Sequence, residues 1–529
     1  MRLGPLSFAA PALWPGTGAS YDEGRRVVAP LVTTLALIGV ALAGAGCNDA
    51  GETAAAPAHA ATRSPSPPRA PGAKACTGIR VSVSTDLQAT VDRHPKGTTF
   101  CLTRGVHRLR TFVVPKDGDT FAGEPGAILS GARILRSFTY RDGHWIVHAQ
   151  LPENAIAAGQ CKQAGTNCTL ANDVFIDNRP LRRVSLASAV TPGAFYNDEV
   201  THTIEIATNP AGHRVEEAVA TRAFKGWHTG VDNVTIAGLV IEKFANEAGI
   251  GAINGRPSWK AIGNIVRLNH GGGIQDAGLI RGNIVRENGQ IGVLGSYETG
   301  QVVAGNDIGF NNYAGFDPSW EAGGAKWIRS RKLVVRRNHV HDNDGPGLWT
   351  DGSSRDVLYD HNVVQRNSGP GILHEISYAA VVKQNVVTGN GFGLSGWLDG
   401  AGIVVSSSPH VQILHNTVAY NRNGIGIIET AREPALHGLP PHQTREVVVR
   451  DNSITMRVGH TGLVQNVGDT SYYTNRGIRF SGNKYSLGCN ATYFTWRDPT
   501  GLYAYADLSQ AQWVAAGNDT TGHFSKNCR

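Results

Sequence analysis

Between residues 226 and 456 the apolar positions fall in short runs, such as Val363-Val364 and Val381-Val382, and each run is cut off by Gly, Asn, Asp or Ser. Runs this short, rich in Val and bounded by turn residues, predict β-strands of a few residues each. No unit carries the 3.6-residue periodicity of an amphipathic helix. A second pattern lies over the first. Seven times, two asparagines stand five apart, at Asn264/Asn269, Asn283/Asn288, Asn306/Asn311, Asn338/Asn343, Asn362/Asn367, Asn385/Asn390 and Asn416/Asn421. Successive first asparagines lie 19, 23, 32, 24, 23 and 31 residues apart, so the unit is about 23 residues with two longer copies.

A unit of this length is too short for most helical-hairpin repeats, whereas three short strands per turn satisfy it. Each strand then pairs with its equivalent in the next coil, and side chains stack in columns about 4.8 Å apart. The predicted fold class is all-β, a right-handed parallel β-helix with N- and C-terminal caps. In such a coil an asparagine repeated at one turn hydrogen-bonds along its column, and it is expected to adopt the left-handed backbone of the corner as well.

Units such as Asn362-Val-Val-Gln-Arg-Asn367-Ser-Gly-Pro-Gly-Ile372, with the segments from Gly97 to His107 and from Pro115 to Phe121, resemble the right-handed β-helix repeat proteins of the pectate-lyase-like superfamily. The resemblance covers most of residues 97–456 and implies the fold. Its members include lyases, hydrolases, epimerases and proteins without known activity, so chemistry has to be read from individual residues.

The ends add a compartment. Arg25-Arg26 precede an apolar run from Val27 to Ala43, followed by Gly44-Ala-Gly-Cys47, the layout of an export signal over residues 1–47 that ends in a lipid-bearing Cys47. The Ala/Pro/Ser-rich residues 48–75 read as a flexible tether. Residues 76–225 are assigned to the N-terminal cap, first coils and a β excursion from 151, residues 226–456 to regular coils, and 457–529 to the last coils and C-terminal cap. Six cysteines remain after Cys47, and an even count in an exported chain predicts disulfides. Sequence proximity pairs Cys76 with Cys101, Cys161 with Cys168, and Cys489 with Cys528. The protein is thus expected to be exported, either lipid-anchored or secreted, and monomeric, touching the membrane only through its anchor.

Both long units gain their residues at the corner after the second asparagine. The insertions contain Asp317, Trp320, Glu321 and Lys326 in one case and Trp397 and Asp399 in the other. With Ile328 and Ile403 taken as equivalents of Ile372, two plain coils separate the loops, which stand roughly 14 Å apart, enough for a sugar chain. Trp320 and Trp397 are read equally as walls for sugar rings or as anchors of their loops. Between them, Asp351 and Glu375 each lie thirteen residues after their first asparagine, which stacks them on neighbouring coils. Two carboxylates about 5 Å apart suit a general acid beside a nucleophile; the competing reading is an acidic stripe or a calcium site with Glu321 or Asp317.

His374 and Lys326 are the candidate bases for elimination, Trp349 a floor residue, and Arg329 a ligand for acidic sugars. Glu429 is expected to extend the column. A net charge of +7 favours an acidic partner. No nucleotide loop or zinc signature occurs, so no organic cofactor and no nucleic acid partner are expected. The functional expectation is an exported carbohydrate-active protein that binds a polysaccharide and cleaves it as hydrolase or uronate lyase. The alternative is a non-catalytic surface adhesin.

Overall fold

The structure is a computed structural model and describes residues 76–150, 158–498 and 505–528. The export signal, Cys47 and the tether lie outside the described residues. The short Val/Ile runs form strands of three to seven residues. In one coil these are Val334–Arg336, His339–His341 and Leu348–Asp351, and in the next Val357–Asp360, Val363–Gln365 and Ile372–Glu375. Each strand pairs in parallel with its counterpart one coil away, for example Val340 with Val364 and Leu348 with Ile372. Propagated along the chain, this pairing gives three sheets of 13, 13 and 12 described strands, parallel throughout except for the last strand of the third, Ala506–Leu508, which pairs antiparallel. The result is a right-handed solenoid.

Alternation sends one residue of each three-residue strand inward. Val335, Val340 and Leu348 of one coil, Tyr359, Val364 and Ile372 of the next, and Val382, Val387 and Ile403 of the third are all completely buried. These columns make one apolar core, and its burial offsets the entropy of ordering strands that could not stand alone.

The asparagines build the corners. Asn362 donates from Nδ2 to Asn385 Oδ1 at 2.9 Å and to the Val335 carbonyl at 2.9 Å. Its Oδ1 accepts from the backbone N–H and the Nδ2 of Asn338, both at 3.0 Å. The pattern repeats in both columns. The first runs further than the seven pairs suggest, through Asn452 and Asn483 to Asp519.

One expectation is corrected. The left-handed residue is the one before each ladder asparagine: Gly305, Arg337, His361, Gln384 and His415 in the first column, Leu268, Glu287, Phe310, Asp342 and Arg366 in the second. The asparagine itself must aim its amide inward along the column, and the preceding residue makes the turn with its side chain outside. For a non-glycine residue this conformation costs about 1 kcal/mol or more, and the ladder bonds hold it.

The caps and the excursion complete the unit. Disulfides join Cys76 to Cys101, Cys161 to Cys168 and Cys489 to Cys528, as proximity predicts. They fit an oxidising compartment outside the cytosol. Among the described residues no helix is long and apolar enough to cross a membrane. The N-terminal cap carries the helix Leu87–Arg93, capped by the Asp86 carboxylate on the Ala89 N–H. The C-terminal cap carries Gln510–Ala515, whose buried Trp513 stacks on Phe494. The excursion begins earlier than expected, at Ala132–Ile134, and ends at Val215–Ala218, forming two small sheets.

Candidate active site

The site lies on the outer face of the 12-stranded sheet. Ala325, Leu348 and Ile372 face the core and share one register row. Ile328 therefore pairs with Asp351, not with an equivalent of Ile372, and the insertion after Asn311 is three residues shorter than expected. Between the inward positions, Lys326, Trp349, Leu373 and Val404 form one outward row. One step on, the next row contains Asp351 and then Glu375, which pairs with Ser406 of the following coil. Thr350 pairs with His374, so Asp351 and Glu375 follow at the same level, one strand spacing apart, about 5 Å.

The two carboxyls are treated differently. Asp351 accepts from Lys326 Nζ at 2.9 Å and from the Gly352 N–H at 2.6 Å. Lys326 is itself buried; its ammonium lies 3.6 Å from the Trp349 ring centroid, 3.5 Å from Glu321 and 3.2 Å from the Trp320 carbonyl oxygen. Burial works against this charge, but Asp351 and Glu321 outweigh it and raise the lysine pKa above its ordinary value. Lys326 is a fixed cation and therefore a poor base. It occupies the space between Glu321 and Asp351 that a calcium ion would need.

Glu375 has no such cation built into its sheet. Burial pushes its pKa up; Arg432 opposes the rise and the neighbouring Asp351 charge adds to it, with the net direction upward. Arg432 Nη2 lies 2.5 Å from Glu375 Oε1 and also donates to Ser406 at 2.8 Å.

His374 points the other way. Its ring is completely buried, in contact with Thr350 Oγ1 at 2.7 Å and the Tyr378 carbonyl at 2.5 Å, and burial lowers its pKa to about 4. This neutral core histidine cannot reach a substrate on the outer face, which corrects its inclusion among the candidate bases. Glu429 is displaced as well: Ile428 pairs with Ser406, so Glu429 falls one residue beyond the row and accepts from the Thr444 N–H at 2.6 Å.

Both inserted indoles act as anchors. Trp320 packs on the cluster of Phe316, Ala322 and Cys168, and Trp397 packs on Leu398, Val404 and Ile428. Arg329 stacks its guanidinium 5.1 Å from the Tyr297 ring. Asp399 is half-buried, with its pKa raised by burial and held back by Arg432. Asp317 caps its own loop on Ser319.

A family described as "Right handed beta helix region" matches residues 248–418, the segment in which all three sheets are parallel. The chain has a right-handed parallel β-helix, a pectate-lyase-like fold. Among solved structures, the β-helix is similar to the complex of XylC with xylose, with 14% identity, a TM-score of 0.59, and coverage of 76% of this chain and 80% of that one. A structure described as a glycoside hydrolase shares 9% identity at a TM-score of 0.41, covering 70% and 87%. The Azotobacter vinelandii mannuronan C-5 epimerase AlgE6 A-module shares 15% at a TM-score of 0.41, covering 84% and 94%. No curated protein sequence matches the chain.

The β-helix also brings a third loop to the site, which the paired asparagines did not reveal. Residues 430–444 leave the solenoid after Asn423–Glu429 and return before Val448–Arg450. They supply Arg432 to Glu375, and His442, whose Nε2 lies 3.0 Å from Ser353 Oγ and whose ring lies 5.2 Å from that of Tyr378. Burial and Arg432 lower the His442 pKa, with Asp351 opposing. The sequence signal was the 36-residue step from Asn416 to Asn452. Under this loop lies a cavity of about 520 Å³ lined by Arg432, His442, Glu429, Tyr472 and Arg476. It sits beside the carboxyl pair, with Arg432 common to both.

Proposed function

We propose that this protein is a carbohydrate-active enzyme, a retaining glycoside hydrolase in which Asp351 is the nucleophile and Glu375 the acid and base. The observation that carries the reading is the pair itself. Two carboxyls stand level on adjacent coils, one in contact with a buried ammonium and the other pushed toward protonation by burial. Their backbones stand one strand spacing apart, of the order of the roughly 5 Å between the carboxyls of retaining enzymes.

In this reading Glu375 donates its proton to the glycosidic oxygen as the bond to the anomeric carbon breaks, while the Asp351 carboxylate closes on that carbon. Water then attacks the glycosyl ester, giving its proton to Glu375 and releasing Asp351, with net retention. An acid that must become a base works best with a pKa near the working pH. Arg432, which tempers the rise caused by burial, serves that need. Lys326 stays charged and holds the Asp351 carboxyl in place through their 2.9 Å contact. Elimination has less support, because Lys326 is locked as a cation and His374 is in the core.

The xylose complex among the similar structures suggests pentosides as the first substrates, with uronosides and hexosides as comparisons. On a panel of aryl glycosides, Asp351→Asn and Glu375→Gln are each expected to lower kcat/KM by at least 10³-fold with unchanged circular dichroism. Azide is expected to restore turnover to Glu375→Ala with an activated leaving group. Full activity in either carboxamide variant, or an unsaturated uronate as product, would overturn the assignment.

A further inference from the structure

A second cluster lies on a different sheet, the one that follows the first asparagine of each unit. Asp307 and Gly309 point outward from the strand Asp307–Gly309, and His339 and His341 point outward from His339–His341 one coil later. Asp307 Oδ2 is 2.9 Å from His339 Nδ1, and Oδ1 is 3.3 Å from His341 Nε2. The three donor atoms all lie within 4.8 Å of one another. The two imidazoles stack with centroids 4.1 Å apart.

From these contacts we propose that Asp307, His339 and His341 form a binding site for a divalent transition metal of the zinc type. Tetrahedral zinc with bonds near 2.0–2.1 Å sets its ligand atoms about 3.3 Å apart, close to the separations of Asp307 from the two rings. Imidazole and carboxylate together favour zinc, cobalt, nickel or copper over calcium or magnesium.

The surroundings hold the ligands as a metal site requires. His341 Nδ1 lies 2.7 Å from Asp342 Oδ2, and Arg366 clamps Asp342 through two bonds of 2.8 and 2.7 Å. With Nδ1 donating to Asp342, a metal at the site takes the place of the Nε2 proton that otherwise faces the Asp307 oxygen. The carboxylate behind the ring is the outer partner that metal-bound histidines ordinarily have. Gln365 lies 2.9 Å from His339 Nε2 on the side away from Asp307. With its amide turned to present oxygen, it accepts that N–H and leaves Nδ1 free for the metal. Binding thus displaces the proton shared by His339 and Asp307 to solvent.

Room for the site comes from Gly309. A Cβ there would stand 2.6 Å from His341 Cε1, so any side chain would push the ring off the preceding coil. Asp307 and His339 remain about two-fifths exposed, which leaves an open side for entry and a fourth ligand. The site spans two consecutive coils just before Asn311, where the loop carrying Trp320 and Glu321 departs. A bound ion would tie those coils together at the root of that loop.

The test uses the full chain, stripped with chelator and titrated with Co²⁺. One equivalent is expected to produce the visible absorption of a four-coordinate site and to be displaced by Zn²⁺. His339→Gln and Asp307→Asn are each expected to weaken binding at least tenfold, and the two together to abolish it. Zn²⁺ should raise the Tm of the parent protein and leave that of the double variant unchanged. No saturable Co²⁺ or Zn²⁺ binding, or equal binding by a folded double variant, would overturn the proposal. Because the cluster is on another sheet, neither outcome bears on the glycosidase assignment.

Discussion

Asn362 offers the sharpest test of what holds the coils together. Replacing it with Ala leaves the buried Asn338 N–H without its acceptor and takes one donor each from the Val335 carbonyl and Asn385 Oδ1. Asn338 Nδ2 keeps its bond to Val303, and Asn385 Oδ1 keeps the Asn362 N–H. One orphaned buried group costs about 1–3 kcal/mol, and each of the other lost bonds about 0.5–1.5 kcal/mol net. With three such bonds lost besides the orphaned group, the expected destabilisation is roughly 2.5–7.5 kcal/mol, read by urea unfolding followed through tryptophan fluorescence. The exposed neighbour Val363, replaced by Thr, should change stability by no more than about 0.5 kcal/mol. Asn362→Asp adds a direction. Its buried carboxyl has a raised pKa, so the lost stability should be greatest at neutral pH and partly recovered on acidification, when a protonated oxygen can donate again. A loss below about 1 kcal/mol for Asn362→Ala would refute the view that the ladder holds the corners.

Two further outcomes follow from buried charges. Lys326→Met leaves Glu321 and Asp351 without the ammonium between them, and should cost about 3–5 kcal/mol, read by urea unfolding. Near the start of the same sheet, burial raises Asp276 to about 7 and Glu298 to about 8, with the Asp276 charge adding to the second. A carboxyl raised in the folded state contributes stability at low pH that is lost as pH rises through the folded pKa. Stability should fall from pH 6 to 9, by at most about 2–3 kcal/mol from Glu298, and Glu298→Gln should flatten that fall in thermal melts.

The fold was legible because its unit is short and its signal repeats: Asn362 and Asn385 report the same corner, so the register of Asp351 against Glu375 follows by counting. Counting failed where the repeat was interrupted. Ile328 was misaligned by three residues because an insertion has no asparagine at its far end. Arg432 and His442 were missed because a loop returns to the sheet by its own packing, not by period. The direction of His374 followed from alternation, but only its contacts with Thr350 and Tyr378 show it fully committed to the core. The Asp307 cluster escaped notice because its members are 32 and 34 residues apart and meet only through sheet pairing.

The first asparagine column has a direction. From asparagine to asparagine the side-chain bonds all run toward the C-terminus, and the last acceptor is Asp519, whose Oδ1 takes the Asn483 N–H and Nδ2 while Oδ2 takes Tyr485 and Trp513. A carboxylate receives but passes nothing on. At the one end where another solenoid could continue the column, there is no outgoing donor and an indole covers the final oxygen. A stack of parallel strands is a template for fibre growth, and here the hydrogen-bonded column closes on a buried carboxyl beneath the Trp513 indole. Asp519→Asn would set an amide NH2 against the donors that now meet a carboxylate oxygen, and so loosen the cap.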